Sequence, residues 1–214
     1  MTVQTVCVGV LGTNCYLVSD DRTKDAVLID PAYEVEKIER SIGDNRILAV
    51  ILTHGHFDHI SSADYFRAKY GCPIVAAEAE KAYFTDYLLY SAGGLVSEKR
   101  FVPLMVDRFV KDGETLTFGS LSFDVRVLSG HTAGDLCLHA EGKLFCGDLL
   151  FYHSVGRTDF PGGDPEKLGI SLRELLQYPD DTVVYPGHDR PTTIGQERKE
   201  NMYIQYLNIN GKEI

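Results

Sequence analysis

The chain has no apolar run of roughly 18 residues, so no membrane-spanning helix is expected. Its opening stretch, MTVQTVCVGVLGTNCYLVSDD, lacks both a basic start and a long apolar segment. It therefore does not read as a secretory signal, and a soluble cytoplasmic protein is expected. Basic residues are scarce: 21 Lys and Arg stand against 31 Asp and Glu, a formal net charge of −10. That balance argues against a nucleic-acid surface, which needs clustered cations, and against docking on an anionic membrane. No CxxC occurs. The five cysteines (Cys7, Cys15, Cys72, Cys137 and Cys146) are odd in number and fall at no metal-like spacing. They read as reduced, mostly buried thiols, not as a disulfide framework or a thiolate site. Internal repeats and low-complexity tracts are also missing.

What remains is ordinary globular composition, 44% hydrophobic and 24% charged over 214 residues. This suits one domain over 1–214, or one domain with a modest insertion, and gives enough chain to bury a core. The acid surplus has a second reading, because a protein that binds several divalent cations must supply carboxylates. Strand-like runs are VQTVCVGV, NCYLVSD, AVLID, ILAVILTH, CPIVAA, LSFDVRVL, DLCLHA, KLFCGDLLF and DTVVYPGH. Helix-like runs cover 34–42, 61–69, 77–91, 165–178 and 194–207. Asp164-Pro165-Glu166 reads as a cap, a proline at the first helical position and an acid in the first turn. Hairpin-like strands come first and strands alternating with helices follow, so the fold class is mixed α/β, with helices to cover both faces of a sheet system. The stretch 83–109 is less regular and reads as a helix followed by a lid-like loop or a plain connector. The tail NINGKEI reads as a frayed end.

Three of the seven histidines fall inside LTHGHFDHI. The continuous apolar run ILAVILT precedes them, so they sit where a buried strand ends. His54 and His56 are two apart and share one side of an extended backbone. Asp58 and His59 follow and can aim at a second point. Imidazole and carboxylate donors suit Zn²⁺, Fe²⁺ or Mn²⁺ better than Ca²⁺ or Mg²⁺. Further donors stand at other strand ends: His131 in LSGHTAGD, Asp148 in LFCGDLLF and His188 in VVYPGHDR, each directly after a glycine. Glycine lets the chain turn tightly and approach an ion.

Together THGHFDH, SGHTAGDLCL, FCGD and YPGH resemble the metallo-β-lactamase-fold hydrolases. SVGRTDFPGGD and PGHDRPTTIGQER are similar to the short glyoxalase II-like branch, the hydroxyacylglutathione hydrolase-like enzymes without the extra C-terminal helical domain. The resemblance implies a four-layer αββα sandwich with the site at one edge. It implies two divalent metal ions, zinc foremost, with iron or manganese possible. His54, His56 and His131 would hold the first, Asp58, His59 and His188 the second, and Asp148 would bridge them. A metal-bound hydroxide would attack a thioester such as S-hydroxyacylglutathione, with Asp58 and Asp148 the catalytic carboxylates. A thiolate leaving group, with a pKa of roughly 8.5, leaves without a dedicated general acid.

Some positions depart from that pattern. Ala133 stands where many relatives carry proline, and Asp189 where many carry glycine. A His-Asp pair and a GRTDF-like stretch also occur in the mononuclear iron persulfide dioxygenases of the same superfamily, so that oxidoreductase is one alternative. A lactonase or other ester hydrolase is another, and a non-catalytic metal-binding module a third. The β-lactamases themselves are disfavoured, since they would use a cysteine in the second site. Arg157 is the expected contact for a substrate carboxylate, or else an ion-pair partner of Asp159 or Asp164. Tyr152 and His153, just past Asp148, are expected to line the pocket. Asp30 and Thr132 are expected to orient ligating imidazoles. His139 reads as core or surface.

Overall fold

A strand buried on one face alternates apolar and polar residues, whereas one buried on both faces is apolar throughout. Most strands of the first sheet are of the second kind. The computed structural model describes residues 1–209, and the end of the NINGKEI tail lies outside the described residues. The first sheet contains β1 (Thr2–Val8), β2 (Thr13–Ser19), β3 (Asp25–Ile29), β4 (Arg46–Ile51), β5 (Ile74–Ala77) and β6 (Arg108–Val110), in that spatial order. β1 to β3 pair antiparallel and β3 to β6 parallel. The second sheet starts with the antiparallel meander β7 (Thr115–Phe118), β8 (Leu121–Leu128), β9 (Asp135–Ala140) and β10 (Lys143–Phe145). After a two-stranded ribbon of β11 (Leu150–Phe151) and β12 (Ser154–Val155), it is completed by β13 (Val183–Tyr185), parallel to β10, and β14 (Thr192–Thr193).

Helices cover the outer faces. On the first sheet lie α1 (Val35–Ile42) and α3 (Ala63–Tyr70), with the single turn α2 (Phe57–Ile60) between them in sequence and α4 (Tyr87–Tyr90) further on. On the second lie α5 (Pro165–Leu175), α6 (Ile194–Glu200) and α7 (Met202–Ile209). Three hydrophobic clusters separate the four layers. Alternate residues of one strand enter different clusters: in β3, Ala26 and Leu28 pack toward Ile38 and Phe66, whereas Val27 and Ile29 meet Phe123, Leu136 and Phe145 of the second sheet. A third cluster joins Leu144 and Val184 to Leu168, Leu172 and Ile204. This is the αββα sandwich expected from the motifs. No helix among the described residues is long and apolar enough to cross a membrane.

The cap read at Asp164 is present, its carboxylate accepting the amides of Glu166 and Lys167. Other elements are cut shorter than the sequence suggests. The helix expected over 77–91 is a 3₁₀ turn, Glu78–Phe84, followed by α4, because the Asp86 side chain takes the Leu88 and Leu89 amides and restarts the helix. The helix expected over 194–207 breaks at Asn201, whose extended backbone and side-chain bonds to Ser154, Glu197 and Tyr203 end α6. KLFCGDLLF is not one strand. β10 stops at Phe145 and Gly147 turns with φ +51, which puts Asp148 on a bend. β6, β7, β12 and β14 are too short to have stood out.

Phe123 is fully buried between the two sheets. Phe123→Ala should cost about 3–5 kcal/mol, read as a lower denaturant midpoint with an unchanged slope. A loss below about 1 kcal/mol would contradict tight packing between the sheets.

Candidate metal centre

The four segments that carry the seven donors meet at one place. Leu52 and Thr53 lead from β4 to His54 and His56, and α2 presents Asp58 and His59. The loops after β8, β10 and β13 bring His131, Asp148 and His188. Three groups of donors have ligand atoms within 4.8 Å of one another: His54, His56 and His131; His54, His59 and Asp148; and Asp58, His59 and His188. His131 Nε2 stands 3.0 Å from His56 Nδ1. His188 Nε2 is 3.3 Å from Asp58 and 3.4 Å from Asp148, and His59 Nε2 is 3.5 Å from Asp148. Asp148 thus touches both halves of the cluster, since His131 Nε2 lies 3.7 Å from the same oxygen that faces His188.

Close approach depends on missing side chains. A Cβ on Gly187 would stand 2.0 Å from the Asp148 carboxylate and 2.8 Å from the His59 ring, so only glycine fits.

In four of the five histidines the outward ring nitrogen is held by the protein; that of His56, Nε2, has no partner. His59 Nδ1 donates to Asp30 at 2.9 Å. Thr53 donates its hydroxyl to the same Asp30 oxygen at 2.6 Å and accepts from His54 Nδ1 at 3.1 Å. One carboxylate therefore sets the tautomer of two rings. His131 Nδ1 donates to the Arg157 carbonyl at 2.8 Å, and His188 Nδ1 to the Leu11 carbonyl at 3.1 Å. Asp30 has the orienting part expected from sequence. Thr132 does not: its backbone amide binds Asp135, and Thr53 and two carbonyls orient the rings instead. Carbonyls carry no side-chain signature, so these two partners could not be read in advance.

With Nδ1 engaged, the Nε2 atoms of His54 and His59 face the cluster. They and Asp148 Oδ1 are buried without a hydrogen-bond partner. Buried polar atoms are almost always paired, and imidazole nitrogens and carboxylate oxygens brought together in this way fit a borderline divalent cation.

The two halves differ electrostatically. Burial, then neighbouring imidazoles, lowers His54 well below its ordinary value and His56 to about 3, so both are neutral. At His59 and His188 burial pulls the same way, but Asp148 and Asp58 outweigh it; His59 is raised and His188 reaches about 10. Burial would raise Asp148 and Asp58, but His59 and His188 hold both low.

A cavity of about 430 Å³ opens onto this cluster. His56, Asp58, His131, Asp148 and His188 form its floor, and its walls are mainly apolar, including Leu11, Leu95, Phe151 and Phe160. Arg157 borders it, but its guanidinium makes a two-pronged pair with Asp159 at 2.6 Å and lies 3.9 Å over Phe160. Tyr152 and His153 are not on the wall, contrary to expectation; Phe151 and Ser154 are. They are the two turn residues of the β11–β12 hairpin. Tyr152 stacks on His153 and under Arg190, and His153 reaches Glu200 at 3.0 Å. His139 stacks on Tyr178, away from the cluster.

A sandwich of this kind with a histidine and aspartate cluster at strand ends defines a class. The chain belongs to the metallo-beta-lactamase superfamily, whose pattern it matches over residues 8–188. It is similar to the hydroxyacylglutathione hydrolase GloC of Haemophilus influenzae, with 35% identity over 212 residues that span 95% of this chain and 98% of the other. Among solved structures, the BLEG-1 B3 metallo-beta-lactamase gives a TM-score of 0.88 at 32% identity, covering 95% of this chain and 99% of that one. TTHA1623 in a di-iron-bound form gives 0.80 at 34% identity, covering 94% and 100%.

Two outcomes follow. His59 and His188 are protonated near neutrality, and a metal takes only neutral imidazole. Loading metal-free protein in weak buffer should therefore release about two protons per chain, and affinity should fall as pH drops from about 8 to about 6. Uptake without acidification would contradict the charge pattern. Asp30→Asn places an amide N–H against His59 or Thr53, and about 10–100-fold weaker metal binding is expected by competition with a chelator.

Proposed function

We propose that the protein is a binuclear metal-dependent hydrolase of thioesters such as S-hydroxyacylglutathione. The observation that carries this reading is the convergence of seven imidazole and carboxylate side chains from four segments beneath one cavity, with buried unpartnered atoms on His54, His59 and Asp148. In this reading His54, His56 and His131 hold one ion, Asp58, His59 and His188 the other, and Asp148 both. Zinc is the ion proposed, with iron or manganese compatible with the same donors. Bound divalent ions supply Lewis acidity toward a carbonyl oxygen and a water acidic enough to ionise near neutrality.

The chain's own residues do the rest. Asp58 and Asp148 bring negative charge to the floor, and Asp30, Thr53 and the Arg157 and Leu11 carbonyls hold the rings in register. The apolar wall limits water around a bound acyl group. Among the described residues outside the seven donors, only Ser154, Arg157 and Asp189 bring polar side chains to the cavity. A thiolate leaves without protonation, so the scarcity of acids favours a thioester. Ala92 and Leu95 reach the wall from the 83–109 segment, which supports its reading as a lid. All five cysteines are free, which fits the reducing cytoplasm as its location. The likeness to GloC over nearly the full length of both chains points to the same substrate class.

The test is metal analysis of protein purified without added metal, together with cleavage of an S-hydroxyacylglutathione followed by thioester absorbance. Two ions per chain and chelator-sensitive cleavage are expected, with Asp148→Asn reducing kcat/KM by more than about a hundredfold. A single iron with oxygen uptake on a glutathione persulfide would replace this reading by the dioxygenase. Preferential opening of a β-lactam would replace it by an activity like that named for BLEG-1.

A further inference from the structure

Glu80 is fully buried, and the charged group that acts on it most strongly is another buried acid, Asp135. A buried acid without a cation is costly unless its oxygens are bonded. Both are. One accepts the Gly55 amide and the other the Gly134 amide, each at 2.9 Å. Gly55 lies between His54 and His56, and Gly134 lies three residues past His131. One side chain thus spans the two loops that carry these three histidines.

The packing around Glu80 makes the same connection independently. Its 3₁₀ turn, Glu78–Phe84, presses on both loops where they lack side chains. A Cβ on Gly55 would stand 2.3 Å from Tyr83 Cβ, and one on Gly134 would stand 2.3 Å from Ala79 Cβ. Tyr83 also reaches a third segment. Its ring lies 5.6 Å from the His56 ring, and its hydroxyl donates to the Pro161 carbonyl at 3.1 Å. The turn therefore works as a bracket, with Ala79 against one loop, Tyr83 against the other and the Glu80 carboxyl bonded to both between them.

We propose that Glu80 is a positioning residue for the metal centre, fixing the spacing of the His54–His56 loop against the His131 loop. It acts through two backbone amides and touches none of the donors. This rests on the reading of His54, His56 and His131 as one ion's ligands. In Glu80→Gln one oxygen becomes an N–H group facing another N–H, so one loop is released while size is kept. The half of the centre built on His54, His56 and His131 should suffer, and the half built on Asp58, His59 and His188 should not.

The test is a Co²⁺ titration of the metal-free wild type, Glu80→Gln and Phe123→Leu, read by visible d–d absorption and dissociation constants, with a melting curve of each metal-free protein. Phe123→Leu loosens the inter-sheet core and touches no loop of the centre, so it reports what general destabilisation does. The wild type should bind two Co²⁺ per chain. In Glu80→Gln one binding step should weaken about 10–100-fold with an altered spectrum, and the other should stay near wild type. Phe123→Leu should melt lower and bind both ions normally. Wild-type binding in Glu80→Gln, or equal weakening of both steps in proportion to lost melting temperature as in Phe123→Leu, would overturn the proposal alone. Failure of the wild type to bind Co²⁺ would overturn the metal reading itself. If Glu80→Gln does not fold, Glu80→Asp, which keeps the carboxyl group but is one methylene too short to reach both amides, is read in the same titration against the same outcomes.

Discussion

The structure depends on holding imidazole and carboxylate groups together, out of water, with their ring nitrogens and carboxylate oxygens facing one another. That arrangement opposes folding, because each such atom has given up hydrogen bonds to water. It survives because the opposite side of four of the five rings is anchored. Asp30 is the centre of that anchoring. Its two oxygens take the Thr53 amide, the Thr53 hydroxyl and His59 Nδ1. It stands at φ +52, directly after β3, a conformation most residues avoid. Local strain at the end of a rigid central strand is kept where it places a carboxylate under two rings.

The layered core supplies the rigidity this needs. β3 and β4 are buried on both faces, and their ends cannot shift without disturbing two clusters at once. The donors sit on short turns beyond such strands, not on long loops. The centre's position therefore follows from the packing of Val27, Ile29, Ala49 and Ile51 against the second sheet as much as from the turns.

What could be read in advance was what is local. His54, His56, Asp58 and His59 declare themselves by spacing, and the apolar run before them declares the strand that carries them. His131, Asp148 and His188 were legible through the glycine before each. Glu80 gave no such signal: it lies inside an expected helix over 77–91, and only the fold brings it to Gly55 and Gly134. Tyr152 and His153 failed for the opposite reason. Nearness to Asp148 in sequence suggested the pocket, but a two-residue hairpin turn stacks Tyr152 on His153 and under Arg190 and turns His153 to Glu200 of α6. Arg157 was read as a substrate contact or an ion pair, and its side chain forms the ion pair with Asp159. Its carbonyl, invisible to any residue-type argument, holds His131.

The charge pattern explains how such a centre can fold before it meets a metal. On one side His54 and His56 are neutral and bring no charge that needs balancing. On the other, Asp58 and Asp148 would repel each other across a small, dry space. His59 and His188 stay protonated between them, and the two positive rings offset the two carboxylates. Those protons occupy, in charge, the place of a divalent ion of the same total. Loading that half is then an exchange of two protons for one cation, not the burial of new charge, and the surrounding packing need not change to allow it. The net charge of −10 is a property of the surface; at the centre the balance is local and close to neutral.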